Sequence, residues 1–294
     1  MQIVKLDTIT ECNEYFSEET LHPLVSLIDL SGHDKHILLK PGFYAVLLNG
    51  MSCCQYCGWK DYDFSEGILT FVSPYQSLNI DLPGGGCDKK SFLLCFSPDL
   101  IRNTVLNAHF DGYTFFRYRQ NEALHLSCCE KEIIKTCMDG ISKELHWYVD
   151  EYSQDLPASR IDLLLICAAR FYKRQFITRH NENEEILFRT NQLLDNYFFS
   201  GIALQKGLPS ADYFARMLGL SSAYFEDLLR YEAGKNTKEY VQGRQFDIAC
   251  EQLLRTDKSI ADIAKNLGYS SYRNFCILFK RLVGYSPNSY RTLN

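Results

Sequence analysis

Ser210-Ala211-Asp212-Tyr213-Phe214-Ala215-Arg216-Met217-Leu218-Gly219-Leu220-Ser221-Ser222 and Ser259-Ile260-Ala261-Asp262-Ile263-Ala264-Lys265-Asn266-Leu267-Gly268-Tyr269-Ser270-Ser271 align at a constant offset of 49. Ser210/Ser259, Ala215/Ala264, Leu218/Leu267, Gly219/Gly268 and Ser221/Ser270 coincide. One residue is then inserted, and the match continues at offset 50 with Phe225/Phe275, Leu228/Leu278, Arg230/Lys280, Gly234/Gly284 and Tyr240/Tyr290. The same unit occurs twice. Each copy reads as helix, turn, helix. A serine N-cap (Ser210, Ser259) opens the first helix, because its oxygen can accept an orphan backbone N–H. Gly219 or Gly268 closes it, glycine being the residue that tolerates the left-handed geometry beyond a helix end. Ser221 or Ser270 is expected to cap the second helix. Two short helices joined by a glycine-containing turn form a helix-turn-helix, whose second helix can enter a DNA major groove.

Phe275, Leu278, Phe279 and Leu282 are expected as the buried stripe of the later second helix. Tyr272, Arg273, Cys276, Ile277 and Lys280 then face outward, with Ser271 at its start. In the earlier copy Phe225, Leu228 and Leu229 are expected to be buried, leaving Ser222, Ala223, Glu226, Asp227 and Arg230 outside. An arginine can address guanine O6 and N7, and an isoleucine can touch a thymine methyl. Thr237 to Arg255 reads as one intervening helix. Its nineteen residues span roughly 28 Å at 1.5 Å each, near the ~34 Å between successive major grooves on one face of a duplex.

Charge supports this reading. Net charge is −5 over 294 residues, yet Phe188 to Asn294 holds 14 Lys and Arg against 10 Asp and Glu, leaving 17 basic against 26 acidic residues in 1–187. Such asymmetry points to a polyanion partner for the C-terminal part alone. The 46% hydrophobic and 23% charged composition excludes wholesale disorder. The longest apolar run, Leu163 to Ala169, is far short of the roughly 18 residues a bilayer span needs. The N-terminal residues show neither a basic nor an apolar signal region, so a cytoplasmic chain that meets no membrane is expected.

Upstream, apolar runs at Leu24–Leu30, Phe43–Leu48, Ile68–Val72 and Ser91–Phe96 are separated by turn residues, including Lys40-Pro41-Gly42 and Asn49-Gly50. They predict a small β barrel or sandwich. Gly84-Gly85-Gly86 lacks the Lys-Ser/Thr of a phosphate loop and reads as a connection. Of twelve cysteines, Cys53, Cys54 and Cys57 lie close together. No second ligand pair accompanies them, so reduced thiols in strand packing are expected, a redox role and a structural metal being the alternatives. Phe43, Tyr44, Tyr56, Trp59 and Tyr75 are core or pocket-lining aromatics. Glu122–Tyr152 and Ala158–Arg179 read as helices separated by a connection that Pro157 closes, with Leu163-Leu164-Leu165-Ile166 largely buried. His180 to Glu185 reads as a linker. The domains are thus 1–120, β-rich; 121–184, helical; and 185–294, all-helical, an α+β chain.

Ile260-Ala261-Asp262-Ile263-Ala264, Gly268-Tyr269-Ser270-Ser271, Phe275, Phe279-Lys280-Arg281, Gly284, Ser286-Pro287 and Tyr290-Arg291 resemble the AraC/XylS-type transcription regulators. The resemblance covers about 190–294. It implies a seven-helix domain with two helix-turn-helix units, working as an activator or repressor on double-stranded promoter DNA beside RNA polymerase. Base-reading positions fall by resemblance on Ala223, Glu226 and Asp227, and on Tyr272, Arg273 and Ile277. Glu226 and Asp227 are acidic where basic or amide residues are common, and Ile277 stands where arginine is frequent. Residues 1–120 resemble, in architecture, the cupin-like domains that sense an effector or form a homodimer in this family. His33 and His36 lack the His/Glu set of metal-binding cupins, so neither a metal nor another cofactor is expected. Two other readings are a protein-interaction regulator with a weakened DNA domain, and a cupin-type enzyme with a helical appendage. The second would need a metal set or acid–base pair in 1–120, and none is evident.

Overall fold

The computed structural model describes residues 3–31, 33, 36–50, 63–82, 90–102, 104–269 and 271–292. Cys53, Cys54, Cys57, Tyr56, Trp59, Gly84, Gly85, Gly86 and Ser270 lie outside these residues. The chain divides into two compact units, Met1–Arg179 and His180–Asn294.

The first unit runs β1 (Ile3–Leu6), α1 (Ile9–Tyr15), β2 (Val25–Asp29), β3 (His36–Pro41), β4 (Tyr44–Asn49), β5 (Gly67–Val72), β6 (Leu78–Asp81), β7 (Phe92–Phe96), α2 (Pro98–Ile101), α3 (Val105–His109), β8 (Leu124–Leu126), α4 (Cys128–Leu145) and α5 (Asp155–Thr178). The strands form two sheets, ordered β1-β3-β6 and β2-β7-β4-β5-β8. The four apolar runs read from sequence become β2, β4, β5 and β7, four neighbours of the larger sheet. All six residues of β5 are buried. In the smaller sheet burial alternates instead: Ile37 and Leu39 of β3 and Leu78 and Ile80 of β6 turn inward, the period of a strand covered on one face. One core joins inward residues of both sheets, including Leu39, Ile80, Leu47 and Leu93, with Cys12 of α1 and Cys95 of β7 in contact at 3.9 Å between sulfurs.

Several local expectations are corrected. Lys40 and Pro41 belong to β3, and only Gly42 lies beyond it, its N–H donating to the Leu6 carbonyl. Asn49 ends β4, buried, with its amide donating to the Asp81 carbonyl. Phe43 is core, Tyr44 stacks on Phe96, and Tyr75 is exposed. The helix expected over 122–152 is confined to α4, where Ser127 and Glu130 form a capping box. Pro157 lies inside the first turn of α5, where its missing N–H costs no helical hydrogen bond. Leu164 and Leu165 are buried, but Leu163 and Ile166 are 54% and 48% exposed, because four consecutive residues point all round a helix.

The first unit also buries charge. Arg179 grips Asp63 through Nε–Oδ1 at 3.0 Å and Nη2–Oδ2 at 2.6 Å, and His125 Nε2 lies 3.9 Å from Asp63 Oδ2. Nearby, the Gln175 amide accepts from the His125 N–H of strand β8 and donates to the carbonyl of Ala123, the residue before that strand. His36 pairs with Asp81 at 2.6 Å, and His33 packs edge-on against Phe16.

The second unit is wholly helical: α6 (His180–Phe199), α7 (Ile202–Lys206), α8 (Ala211–Leu218), α9 (Ser222–Ala233), α10 (Thr237–Arg255), α11 (Ile260–Asn266), α12 (Tyr272–Val283) and α13 (Pro287–Thr292). The chain is therefore α+β, as expected. The polar stretch 180–185 opens α6 rather than forming a loop. The described residues of this unit hold eight helices, counting the five-residue α7, where the resemblance implied seven. None is long and apolar enough to cross a membrane.

Candidate nucleic-acid interface

Two helix pairs, α8–α9 and α11–α12, carry the repeat, and α10 joins them over the residues read from sequence, Thr237–Arg255. The outline of each pair follows from its caps. Ser259 accepts from the Asp262 N–H and Ser221 from the Tyr224 N–H. Ser210 occupies the cap position of α8 with no side-chain bond of that kind. The cap of α12 is Ser271, which accepts from the Asn274 N–H, and not Ser270. The inserted residue of the second copy therefore precedes Ser271 in the sequence. Ser221 and Ser271 are the true equivalents.

Gly219 and Gly268 both take left-handed φ, +74° and +83°. Their surroundings differ. A Cβ on Gly219 would meet open space, whereas one on Gly268 would lie 3.0 Å from the Ala203 carbonyl oxygen and 3.2 Å from the Ala203 Cβ. Gly219→Ala is expected to cost about 1–2 kcal/mol through left-handed strain alone. Gly268→Ala should cost more, because α7 must also give way. Urea denaturation of the two variants checks the order.

One core binds both pairs. Phe214 stacks on Phe225 at 5.3 Å in the first, Phe275 and Phe279 lie 5.6 Å apart in the second, and Ile248, Ala249 and Leu253 of α10 complete it. Phe225, Leu228 and Leu229 are buried as expected. The stripe expected on α12 is corrected. Phe275 and Phe279 are buried, Leu278 is half-buried and Leu282 is 57% exposed. Val283 and Cys276 pack on the core instead, so Cys276 is only partly outward. Both sets cover about the same arc of a helix, so spacing alone does not choose between them, and the core lies on the side of Cys276 and Val283.

Polar locks fix α10 within this frame. Arg244 forks onto Asp195 of α6 with two bonds of 2.8 Å, Gln245 donates to the Leu267 carbonyl at 2.6 Å, and Arg291 of α13 donates to the Leu253 and Lys258 carbonyls. Arg291 belongs to the residues that carry the resemblance, whereas Asp195, Arg244 and Gln245 do not stand out in the sequence. Their signal is only a polar residue on the inner face of a helix.

On α9 the Ser222 hydroxyl donates to the Asp212 carboxylate of α8. Glu226 accepts from the Thr237 N–H at 3.4 Å. Ala223 and Asp227 are half-buried and Arg230 is exposed. On α12, Tyr272 and Ile277 are 52% and 59% exposed. Arg273 and Lys280 are exposed too, with no carboxylate partner among the described residues. Tyr272 bonds to Cys276 one turn along, which raises the Tyr272 pKa.

Tyr269, in the turn before α12, packs on Phe275 at 5.0 Å. Burial, with a smaller contribution from Cys250, pushes its pKa up to about 12. The folded state holds the phenol proton more tightly than an unfolded tyrosine of pKa about 10. The associated stability is complete below pH about 10 and is lost as pH rises toward about 12. Tyr269→Phe should flatten that alkaline fall of the thermal midpoint.

A helix-turn-helix domain family matches residues 214–292. The chain is 35% identical over 80 residues to the uncharacterized HTH-type transcriptional regulator YtdP of Bacillus subtilis, a match over 27% of this chain and 10% of that one. It is 32% identical over 80 residues to the regulatory protein SoxS of Salmonella typhimurium, over 27% of this chain and 75% of SoxS. Among solved structures, the C-terminal domain of AraT, a response regulator from Geobacillus stearothermophilus, is 27% identical. That match covers 37% of this chain and 85% of that one, with a TM-score of 0.31. The chain thus spans a tenth of YtdP and three quarters of SoxS. By its doubled helix-turn-helix and its kinship with SoxS, the chain belongs to the AraC/XylS family of transcription regulators.

Proposed function

We propose that this protein binds double-stranded promoter DNA through α9 and α12, placing them in successive major grooves, and regulates transcription without catalysing a reaction. The observation that carries the reading is the doubled helix-turn-helix on one shared core, its second copy presenting Arg273, Ile277 and Lys280 outward. The nineteen-residue α10 spans roughly 28 Å, a length suited to two adjacent grooves. Ser222, Ala223, Asp227, Arg230, Ser271, Tyr272, Arg273, Cys276, Ile277 and Lys280 remain the DNA-facing set of this proposal, and Glu226, expected among them from the sequence, turns to the Thr237 N–H instead.

The first unit is proposed to sense a small-molecule effector, to form a homodimer, or both. Leu163 and Ile166 on α5, with Trp147, Tyr148 and Val149 in the connection after α4, leave apolar surface outward that a symmetric pairing can cover. The protein is proposed to act in the cytoplasm, beside RNA polymerase. Binding of the full-length protein to a randomised duplex library tests the reading. Retention should fall with salt by about 0.9 log units per log unit for each phosphate neutralised. Failure to retain any duplex at low salt overturns it.

A further inference from the structure

We infer that the two helix-turn-helix units divide the reading of a DNA site unequally: α12 supplies the base-specific contacts, and α9 docks without reading bases. The inference rests on the DNA-binding reading above.

The repeat provides its own internal comparison. At offset 50, Ser222 matches Tyr272, Ala223 matches Arg273, Glu226 matches Cys276, Asp227 matches Ile277, Arg230 matches Lys280 and Thr237 matches Pro287. In the first copy the opening of α10 leaves the Thr237 N–H without a helical acceptor, as every helix start does. Glu226 supplies one from the preceding helix. In the second copy the corresponding helix, α13, opens on Pro287, which has no N–H, and the position of Glu226 holds Cys276, which has no carboxylate. Acceptor and donor are present together in one copy and absent together in the other. That is the pattern of a helix-to-helix cap, and a base-reading carboxylate would have no reason to follow it. Glu226, acidic where basic or amide residues are common in the resemblance, is turned onto backbone.

Ser222 is also engaged, through Asp212, and Ala223 has no hydrogen-bonding side chain. Asp227 is half-buried and acidic, which leaves Arg230, an exposed cation in the last turn of α9, as the group suited to a phosphate. On α12 the outward groups are differently equipped. Arg273 is exposed, near the start of the helix and without a partner among the described residues, and Ile277 projects one turn on. A guanidinium fork matches guanine O6 and N7, and an apolar group beside it matches a thymine methyl. The site that fits is a duplex with one strict half-element containing a G·C pair, and a second half-element one helical turn away in which the bases are free.

Selection from a randomised duplex pool, using the full-length protein and single variants, tests this. The wild type should recover a site whose base preference is confined to one half. Arg273→Ala should lose the preference at one base pair and bind the selected site roughly 5- to 150-fold more weakly. Arg273→Lys keeps the charge but not the fork, so it should lose the same preference while holding non-specific duplex nearly as well. Glu226→Gln retains an oxygen that can accept the Thr237 N–H and should recover the wild-type site. Two equally strict half-elements overturn the inference, as does a changed base preference in Glu226→Gln, and either leaves DNA binding itself standing. No retention of any duplex by the wild type at low salt overturns both.

Discussion

Replacing Arg179 by Ala should lower the stability of the first unit by about 3–5 kcal/mol, the usual cost of breaking a buried ion pair from one side. The Asp63 side chain is fully buried and that of Arg179 is 6% exposed, so solvent screens neither. Removing the guanidinium takes away two short bonds and leaves a carboxylate in a site where ionisation is costly. Asp63→Ala leaves an uncompensated guanidinium instead and should cost a similar amount. The paired replacement Asp63→Leu with Arg179→Met should recover most of the loss, since an apolar pair of similar volume is often as stable as the ion pair it replaces. Urea denaturation of the full chain, followed by far-ultraviolet circular dichroism, reads all three. A loss below about 1 kcal/mol for Arg179→Ala would show that the pair contributes no more than a surface salt bridge.

That ion pair was not legible in the sequence, whereas the recognition helices were. The difference is one of range. The repeat announces itself through local rules, a serine cap, a glycine at left-handed φ and an apolar period, each acting over a few residues. Asp63 and Arg179 are far apart along the chain, and each alone looks like an ordinary polar residue beside a strand or at a helix end. The same distinction separates the strands. β4 and β5, buried on nearly every residue, appear as continuous apolar runs. β3 and β6 show only alternation, and β3 ends in Lys40-Pro41, which reads locally as a turn. The position of the α12 cap failed for a smaller reason. Ser270 and Ser271 are adjacent and chemically equal, so only the backbone decides which one faces the Asn274 N–H.

The polar faces of the recognition helices were legible as faces but not as roles. Periodicity places Glu226 and Arg273 outward on their helices equally well. It cannot show that the first reaches across to the start of α10 while the second has no carboxylate partner among the described residues. That difference arises from the register between α9 and α10, a tertiary fact. Together with the substitutions between the copies, it gives two sequence units of one plan unlike surfaces.

Phe279→Ala should cost about 3–5 kcal/mol and should disturb DNA selectivity more than an equally costly truncation on α9. Phe279 is 1% exposed and its ring touches Phe246 of α10, Phe275 of its own helix and Tyr290 of α13 at 5.3, 5.6 and 5.4 Å. Only Phe275 and Phe279 are fully buried on α12, whereas Tyr224, Phe225, Leu228 and Leu229 anchor α9. Truncating one of two anchors frees the helix to shift; truncating one of four leaves it held. Leu228→Ala, within the usual 2–5 kcal/mol of such changes, is therefore the control. Both variants should be assayed well below their unfolding midpoints, so that loss of folded protein does not enter. Phe279→Ala should then blur the strict half-element, and Leu228→Ala should leave the recovered site unchanged. Phe279→Leu, which keeps most of the volume, should restore selectivity together with stability. Because Phe275 and Phe279 share contacts, their double truncation should depart from additivity by about 0.5–3 kcal/mol. Equal stability losses with an equally unchanged site for Phe279→Ala and Leu228→Ala would mean that the anchors of α12 do not set its reading position. Base selectivity would then have to come from the groups on its exposed face alone, whatever the exact seating of the helix.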